Sequence, residues 1–308
     1  MKGLELSEHY YKEIVAPMLD REFPLLVRHL AAGLVGEGSE CFGFDDVLSR
    51  DHDWGPAVCL WLEAKIIDTH GGSIRDAMEA LPKEYCGFPA RTSTQWSEGR
   101  TGVLEIEHFY TRLIGSARVP KSPRDWLVIP EAALACATNG KVFCDHAGIF
   151  SLVREGLLGF YPEDVRLKKI AAACAKLAQA GQYNYPRCIV RKELVAADQA
   201  LAEFVSAVCS VVFLLNKRYK PFYKWMHRAL QELPVLGEAT HRSLGLLVST
   251  SLDNTKAERI EELCALIAQA LLNRGISDAT GDFMMDHAVS VQEKIQDSYV
   301  KGLHIMVG

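Results

Sequence analysis

The stretch from Gly36 to Gly55, GEGSECFGFDDVLSRDHDWG, sets a Gly38-Ser39 pair twelve residues ahead of two aspartates, Asp51 and Asp53, that are separated by one residue. Those residue types at that spacing suit a metal-assisted transfer from a nucleoside triphosphate. A glycine-flanked turn lets backbone N–H groups approach phosphate oxygens, because glycine at 36 and 38 carries no Cβ to block the approach. Asp51 and Asp53, if carried on a strand, point to the same face, since side chains alternate with period two. Two hard carboxylates on one face make a minimal Mg²⁺ site. Magnesium keeps several waters and takes further oxygens from the substrate's own phosphates, so the protein need supply little more. With two ions, the attacking and the leaving oxygen are both clamped.

The elements that must hold these residues are short. Ala32 to Val35 is apolar and reads as a buried strand that delivers Gly38-Ser39 into its turn. Gly102 to Tyr110, GVLEIEHFY, alternates so that Glu105 and Glu107 share one face and Leu104 and Ile106 the other. A neighbouring strand of that kind would bring a third carboxylate, although alternating glutamates are also what the solvated face of a sheet looks like. Two rival readings fit less well. From Gly36 the glycines run G-x-G-x-x-x-x-G, which is not the dinucleotide fingerprint G-x-G-x-x-G. A His52-Asp53 metal dyad would need further ligands on helices, and His52, between two same-face carboxylates, points the opposite way.

Gly38-Ser39 followed by Asp51-x-Asp53 resembles the signature of the polymerase-beta-like nucleotidyltransferase superfamily. GEGSECFGFDD, SRDHDWG and the later NKRYKPFYKW are more closely similar to an uncharacterised bacterial family of nucleotidyltransferases known only as a domain of unknown function. The resemblance implies an aminoglycoside-adenylyltransferase-like chemistry in which Asp51 and Asp53 bind metal. Glu105, in its Leu-Glu-Ile context, matches the strand glutamate that completes the metal site or serves as general base there, and Glu107 is the alternative on the same face for either role. It also implies Mg²⁺ as cofactor and ATP as the default nucleotide.

Composition frames this reading. With 308 residues, 49% hydrophobic and 24% charged, the chain has mass for two domains. A net charge of −5 gives no global support for nucleic-acid binding. The first residues, MKGLELSEHYYKEI, lack the apolar core of a leader, and no uninterrupted apolar run long enough to span a bilayer is evident, so the expected location is cytoplasmic, with no membrane partner. Nine cysteines fall singly, without any C-x-x-C, and read as small buried apolar residues. Cys41, inside the phosphate turn, is expected to be open to inhibitory alkylation.

The expected fold class is α+β, a small mixed-sheet nucleotidyltransferase domain over residues 1–155 followed by an all-α helical bundle over 156–308. Ser7 to Leu30 reads as a helix kinked at Pro17 and Pro24. Gly71-Gly72 ends a segment and Ser73 starts a short helix. The stretch from Cys86 to Gly102 is a long loop with the makings of a lid, and Asn139-Gly140 turns into an edge strand over 141–145. Beyond Pro162 all is helical: an alanine-rich helix stopping at Gly181, a long apolar one over 197–215, another from Thr255, and a last one over 282–299. In NKRYKPFYKW, Lys217 and Lys224, seven apart, would share one face if the helix survives Pro221, and together with Arg50 they are the expected cations for the triphosphate. The same residues also suit a basic helix end packed by aromatics.

Three functions of different kind follow. The first is Mg²⁺-dependent transfer of a nucleoside monophosphate, AMP from ATP, to a hydroxyl of an unidentified acceptor, with Gly38 and Ser39 holding the phosphates and Glu105 taking the acceptor's proton. The second is nucleotide binding in a regulatory or toxin–antitoxin-type protein with little or no turnover. The third, transfer to a polynucleotide end, is disfavoured by the acidic net charge.

Overall fold

Residues 1–51, 53–91, 99–249 and 254–308 are described by the computed structural model, in which an α+β fold divides into two units. The first unit comprises Met1–Val119 and Ala133–Gly159, the second Pro120–Ala132 and Phe160–Gly308. The chain therefore changes unit at 119/120, 132/133 and 159/160, whereas the division expected at 155/156 falls inside a helix. His52 and residues 92–98 of the expected lid loop lie outside the described residues.

In the first unit, α1 (Gly3–Tyr10) runs through a π-helical stretch, Tyr11–Val15, into α2 (Ala16–Glu22). The widened turn directly precedes Pro17, which has no N–H to continue the α-helical ladder, so the register shifts and the helix carries on. It ends at Phe23, ahead of Pro24. β1 (Ala31–Leu34) and β2 (Cys59–Leu62) pair antiparallel, with Ala31 opposite Trp61 and Gly33 opposite Cys59. After α3 (Ala64–Glu79) and a hairpin of β3 (Glu84–Tyr85) and β4 (Phe88–Pro89), β5 (Gly102–Glu105) lies parallel to β2, with Cys59 opposite Gly102 and Leu62 opposite Glu105. α4 (Ile106–Ile114) follows at once. The chain then crosses through α5 (Pro123–Val128) and α6 (Glu131–Thr138) to β6 (Lys141–Asp145), antiparallel to β1, and α7 (Ile149–Leu158). The sheet order is β5-β2-β1-β6, a mixed sheet with β6 at its edge.

Period-two alternation in β2 builds a core on both faces of this sheet. Leu60 and Leu62 pack with Val15, Met18, Leu19 and Ile74 on one side. Trp61 stacks on Phe150 with ring centroids 3.9 Å apart on the other, where the Tyr110 hydroxyl donates to the Phe150 carbonyl at 2.9 Å. Each such side chain, wholly buried, contributes about 1.5–3 kcal/mol. That burial overrides local signals. Gly71 and Gly72 lie inside α3 and do not end it, because Ile66, Ile67, Ile74, Ala77 and Met78 present one apolar face to the core, against about 1 kcal/mol per helical glycine. The hairpin is another departure: Cys86 (φ 53°) and Gly87 (φ 79°) form the two-residue turn with both φ positive that suits a twisted hairpin, where a loop was expected.

The second unit is helical. α8 (Glu163–Lys176) passes through a π-helical stretch, Leu177–Asn184, into α9 (Tyr185–Arg191), and so runs past Gly181. α10 (Leu194–Leu215), α11 (Tyr223–Ala229), α12 (Gly237–Ser249) and α13 (Asn254–Asn273) follow, and α14 (Met284–Glu293) and α15 (Ser298–Gly302) divide what reads as one closing helix. α10, though interrupted by Asp198 and Glu203, is long and apolar enough to cross a membrane by length and composition, with 61% of its apolar window buried within the protein. Lys168 is fully buried, its Nζ donating to Gln292 Oε1 at 2.7 Å and to the His304 carbonyl at 2.9 Å.

Candidate active site

Sheet topology brings four segments to one end of the first unit. β1 ends there and runs on into Gly36–Ser39; β2 starts there, after the Asp51–Asp53 segment; β5, parallel to β2, also starts there, just after Arg100; and β6, antiparallel to β1, starts there after Asn139. Asn139 clasps the turn: its Oδ1 accepts from Gly36 N at 2.9 Å and its Nδ2 donates to the Gly36 carbonyl at 2.6 Å. Ser39 precedes a single 3-10 turn, Glu40–Phe42, whose following N–H groups fold back on Gly38, Ser39 and Glu40 carbonyls. Among the described residues, the N–H groups of Gly38 and Ser39 donate to nothing.

Gly38 is explained by its neighbour as well as by any ligand. A Cβ at this position would run into the Glu40 carboxylate, which is buried and paired with the buried Arg91 guanidinium. Cys41 is only 6% exposed and burial drives its thiol well above the ordinary range, so the expected open alkylation site is a shielded, poorly nucleophilic thiol.

Asp51 and Asp53 are not on a strand. They follow a 3-10 turn, Leu48–Arg50, and Asp53 takes a left-handed conformation (φ 49°), which aspartate tolerates better than most residues. The period-two argument for a shared face therefore does not apply. Asp53 is instead held by what surrounds it. Its neighbour Trp54 is pinned, the indole N–H donating to Asp45 Oδ2 at 3.1 Å, and the same oxygen accepts the Gly3 N–H at 2.8 Å. Arg100 Nη1 stands 3.9 Å from Asp53 Oδ2, whereas Asp53 Oδ1 is buried and has no hydrogen-bond partner among the described residues. Arg100 Nε also pairs with Glu37 Oε2 at 3.2 Å, and Arg112 of α4 reaches the same oxygen at 3.3 Å. Asp51 is exposed.

The remaining expected residues are elsewhere. Glu105 ends β5, three strand steps or about 10 Å beyond Gly102, at the opposite end of the sheet from the Asp53 segment. Glu107 is in the first turn of α4, where a carboxylate favours the helix dipole, so the two glutamates do not share a strand face. Among the described residues no group of three or more His, Cys, Asp and Glu could hold a metal ion. Arg50 lies over the Trp54 and Phe88 rings, at 4.8 and 5.2 Å, and the guanidinium groups beside Glu37 and Asp53 are Arg100 and Arg112. Sequence reasoning passed over both, although Arg100 stands two residues before a strand whose other end it had singled out.

In the second unit Pro221 does separate the two lysines. α10 ends in a left-handed cap at Lys217 (φ 51°), with Lys217 N bonded to the Leu214 carbonyl and Arg218 N to that of Phe213. Lys224 belongs to α11, its ammonium 5.0 Å from the Trp225 ring centroid, so no single helix face carries both.

A family model described as a domain of unknown function (DUF4037) matches residues 126–226. No curated protein matches the chain. Among solved structures, a nucleotidyltransferase-like protein from Exiguobacterium sibiricum 255-15 is similar at 12% identity over 87% of this chain and 77% of that one, with a TM-score of 0.37. A likeness of that size carries no argument about chemistry.

Proposed function

We propose that the chain is a nucleotidyltransferase that moves a nucleoside monophosphate, AMP from ATP, to a hydroxyl acceptor, with its nucleotide site at the Gly36–Ser39 end of the sheet. The observation that carries this reading is Asp53 Oδ1, a buried carboxylate oxygen without a partner among the described residues, at the sheet end to which Gly38 and Ser39 bring two N–H groups that donate to none of those residues. A buried acceptor left unpaired costs about 1–3 kcal/mol, which a ligand or ion at that oxygen would recover. Magnesium is implied by the resemblance, and Asp53 with the neighbouring Asp51 fits the small share of ligands that a phosphate-bound Mg²⁺ asks of a protein. When bound, such an ion neutralises charge developing on the phosphates. Arg100 and Arg112, here paired with Glu37, are the guanidinium groups that triphosphate oxygens would meet on entry.

One observation favours the second reading, binding with little or no turnover: Glu105 is at the far end of β5, so no general base is assigned. Calorimetry with ATP–Mg²⁺ tests the site itself. Asp53→Asn is expected to weaken binding at least about tenfold while holding or raising thermal stability, since it removes a buried charge. Wild-type affinity in both Asp53→Asn and Asp51→Asn would sink the assignment. Pyrophosphate release from ATP in the presence of varied hydroxyl acceptors then separates turnover from binding alone.

A further inference from the structure

Two helices of the second unit carry polar stripes into a common cleft. On α8, Lys169, Ala173 and Lys176 recur at spacings of four and three and so share a face. On α10, an otherwise apolar helix, Gln199, Glu203, Ser206 and Ser210 recur at four, three and four. Both stripes, with residues 127–131 and Lys220, line a cleft of about 520 Å³. A volume of that order suits a small molecule.

The lysines in it are not equivalent. Lys220 is saturated: its Nζ donates to Ser210 Oγ at 2.6 Å, Ser206 Oγ at 3.1 Å and the Ser206 carbonyl at 3.2 Å, and Glu131 Oε2 is 3.5 Å away. Ser210 Oγ passes a hydrogen bond on to Glu131 Oε2 at 3.0 Å. Ser206 Oγ accepts from Lys220 and keeps its own hydrogen for another acceptor. Lys169 is different. It is only 6% exposed, makes no hydrogen bond or ion pair among the described residues, and has the Tyr161 ring 5.2 Å from its Nζ. Burial pulls its ammonium below the ordinary range, Glu131 offsets this, and repulsion from Lys176 and Lys220 adds to it. With Glu131 balanced by Lys220, Lys169 and Lys176 share the cleft with Glu203, three ammonium groups to two side-chain carboxylates in the lining. Gly308 also lines the cleft, and among the described residues no ion pair joins it to these lysines.

We propose that this cleft binds the phosphoryl group of a small phosphate ester, with Lys169 and Lys176 as counter-charges and the Ser206 hydroxyl as a donor. Point-charge ammonium groups from α8 and a hydroxyl from α10 match a tetrahedral oxyanion, whereas a planar carboxylate is better met by the two-pronged guanidinium of arginine. A buried ammonium without a partner is also costly until an anion arrives. The proposal uses none of the residues of the nucleotide site and stands or falls apart from it.

The test is calorimetry and thermal melting of the full chain with inorganic phosphate and glycerol 3-phosphate, against acetate and chloride at equal ionic strength. Phosphate and glycerol 3-phosphate should bind and raise the melting temperature, and acetate and chloride should not. Lys169→Met should weaken binding about tenfold or more while its ligand-free melting temperature is held or raised, which separates lost binding from a lost fold. Lys176→Ala, at a half-buried position, should weaken it in the same direction, and the exposed Lys65→Ala should leave it unchanged. Equal response to acetate, no response beyond chloride, or wild-type affinity in both Lys169→Met and Lys176→Ala would overturn the proposal.

Discussion

The pairing of Glu40 with Arg91 bears most directly on the phosphate turn. Their side chains are 4% and 7% exposed, so neither charge has water to fall back on. Arg91→Met should destabilise the protein by about 3–5 kcal/mol in urea unfolding, because it strands a buried carboxylate; adding Glu40→Gln should restore part of the loss. A single variant within 1 kcal/mol of wild type would show that the pair does not hold the turn. Individual residues were unevenly legible. Glycines at 36 and 38 and the closely spaced aspartates advertise a special backbone, and the structure does place a tight turn and a left-handed aspartate there. Arg91, Arg100 and Arg112 carry no such signal, since their partners are set by the hairpin and by the parallel register of β5. The strand face expected to be shared by Glu105 and Glu107 is absent because the switch from strand to helix falls between them.

Elements were legible where an apolar pattern was long and misread where glycine was taken as punctuation. Gly181 shows why. It lies in the π-helical stretch between α8 and α9, and a Cβ there would run into the Phe204 ring of α10 and come within 3.0 Å of Ile260 Cγ2. This glycine is kept for the closeness of its neighbours and does not stop the helix. Alanine is favoured over glycine in a helix by about 1 kcal/mol, but overpacking a filled core costs about 1–3 kcal/mol, and the second effect is expected to win. Gly181→Ala should therefore lower stability in chemical denaturation, and Phe204→Leu in the same chain should recover some of it. A more stable Gly181→Ala would show that Phe204 has room to move. The polar stripe of α10 was missed for the opposite reason, since a helix apolar overall conceals four polar residues that only helical spacing brings into line.

Over the whole molecule, the scattered cysteines set a response to alkali. Burial pushes the thiols of Cys41, Cys59, Cys136, Cys144, Cys174, Cys209 and Cys264 above their ordinary value of 9.0, up to about 12 for Cys59, Cys136, Cys174 and Cys209. In the unfolded chain these groups lose their protons near pH 9 while the folded chain keeps them. The stability they carry is thus complete below pH 9 and is lost as pH climbs towards about 12. Lys168, pulled down to about 8 by burial, and Lys169, pulled down likewise, act in the opposite sense, but they are two lysines against seven thiols. The urea midpoint should fall between pH 8 and pH 10.5, and a midpoint that rises would contradict the burial of these thiols. The exchange of segments between units also dictates an order of manufacture. A ribosome delivering about 5–20 residues per second releases Trp126 before Tyr161, the ring it meets edge-on with centroids 5.6 Å apart, and releases β1 and β2 long before β6 closes the free side of β1. While residues 63–140 are being made, the nascent sheet has an open edge on β1, a template for wrong partners. No cut at a single peptide bond separates the two units, since a break at 159/160 leaves Pro120–Ala132 of the second unit on the piece that carries the first, so expression of the chain in two pieces should divide a core.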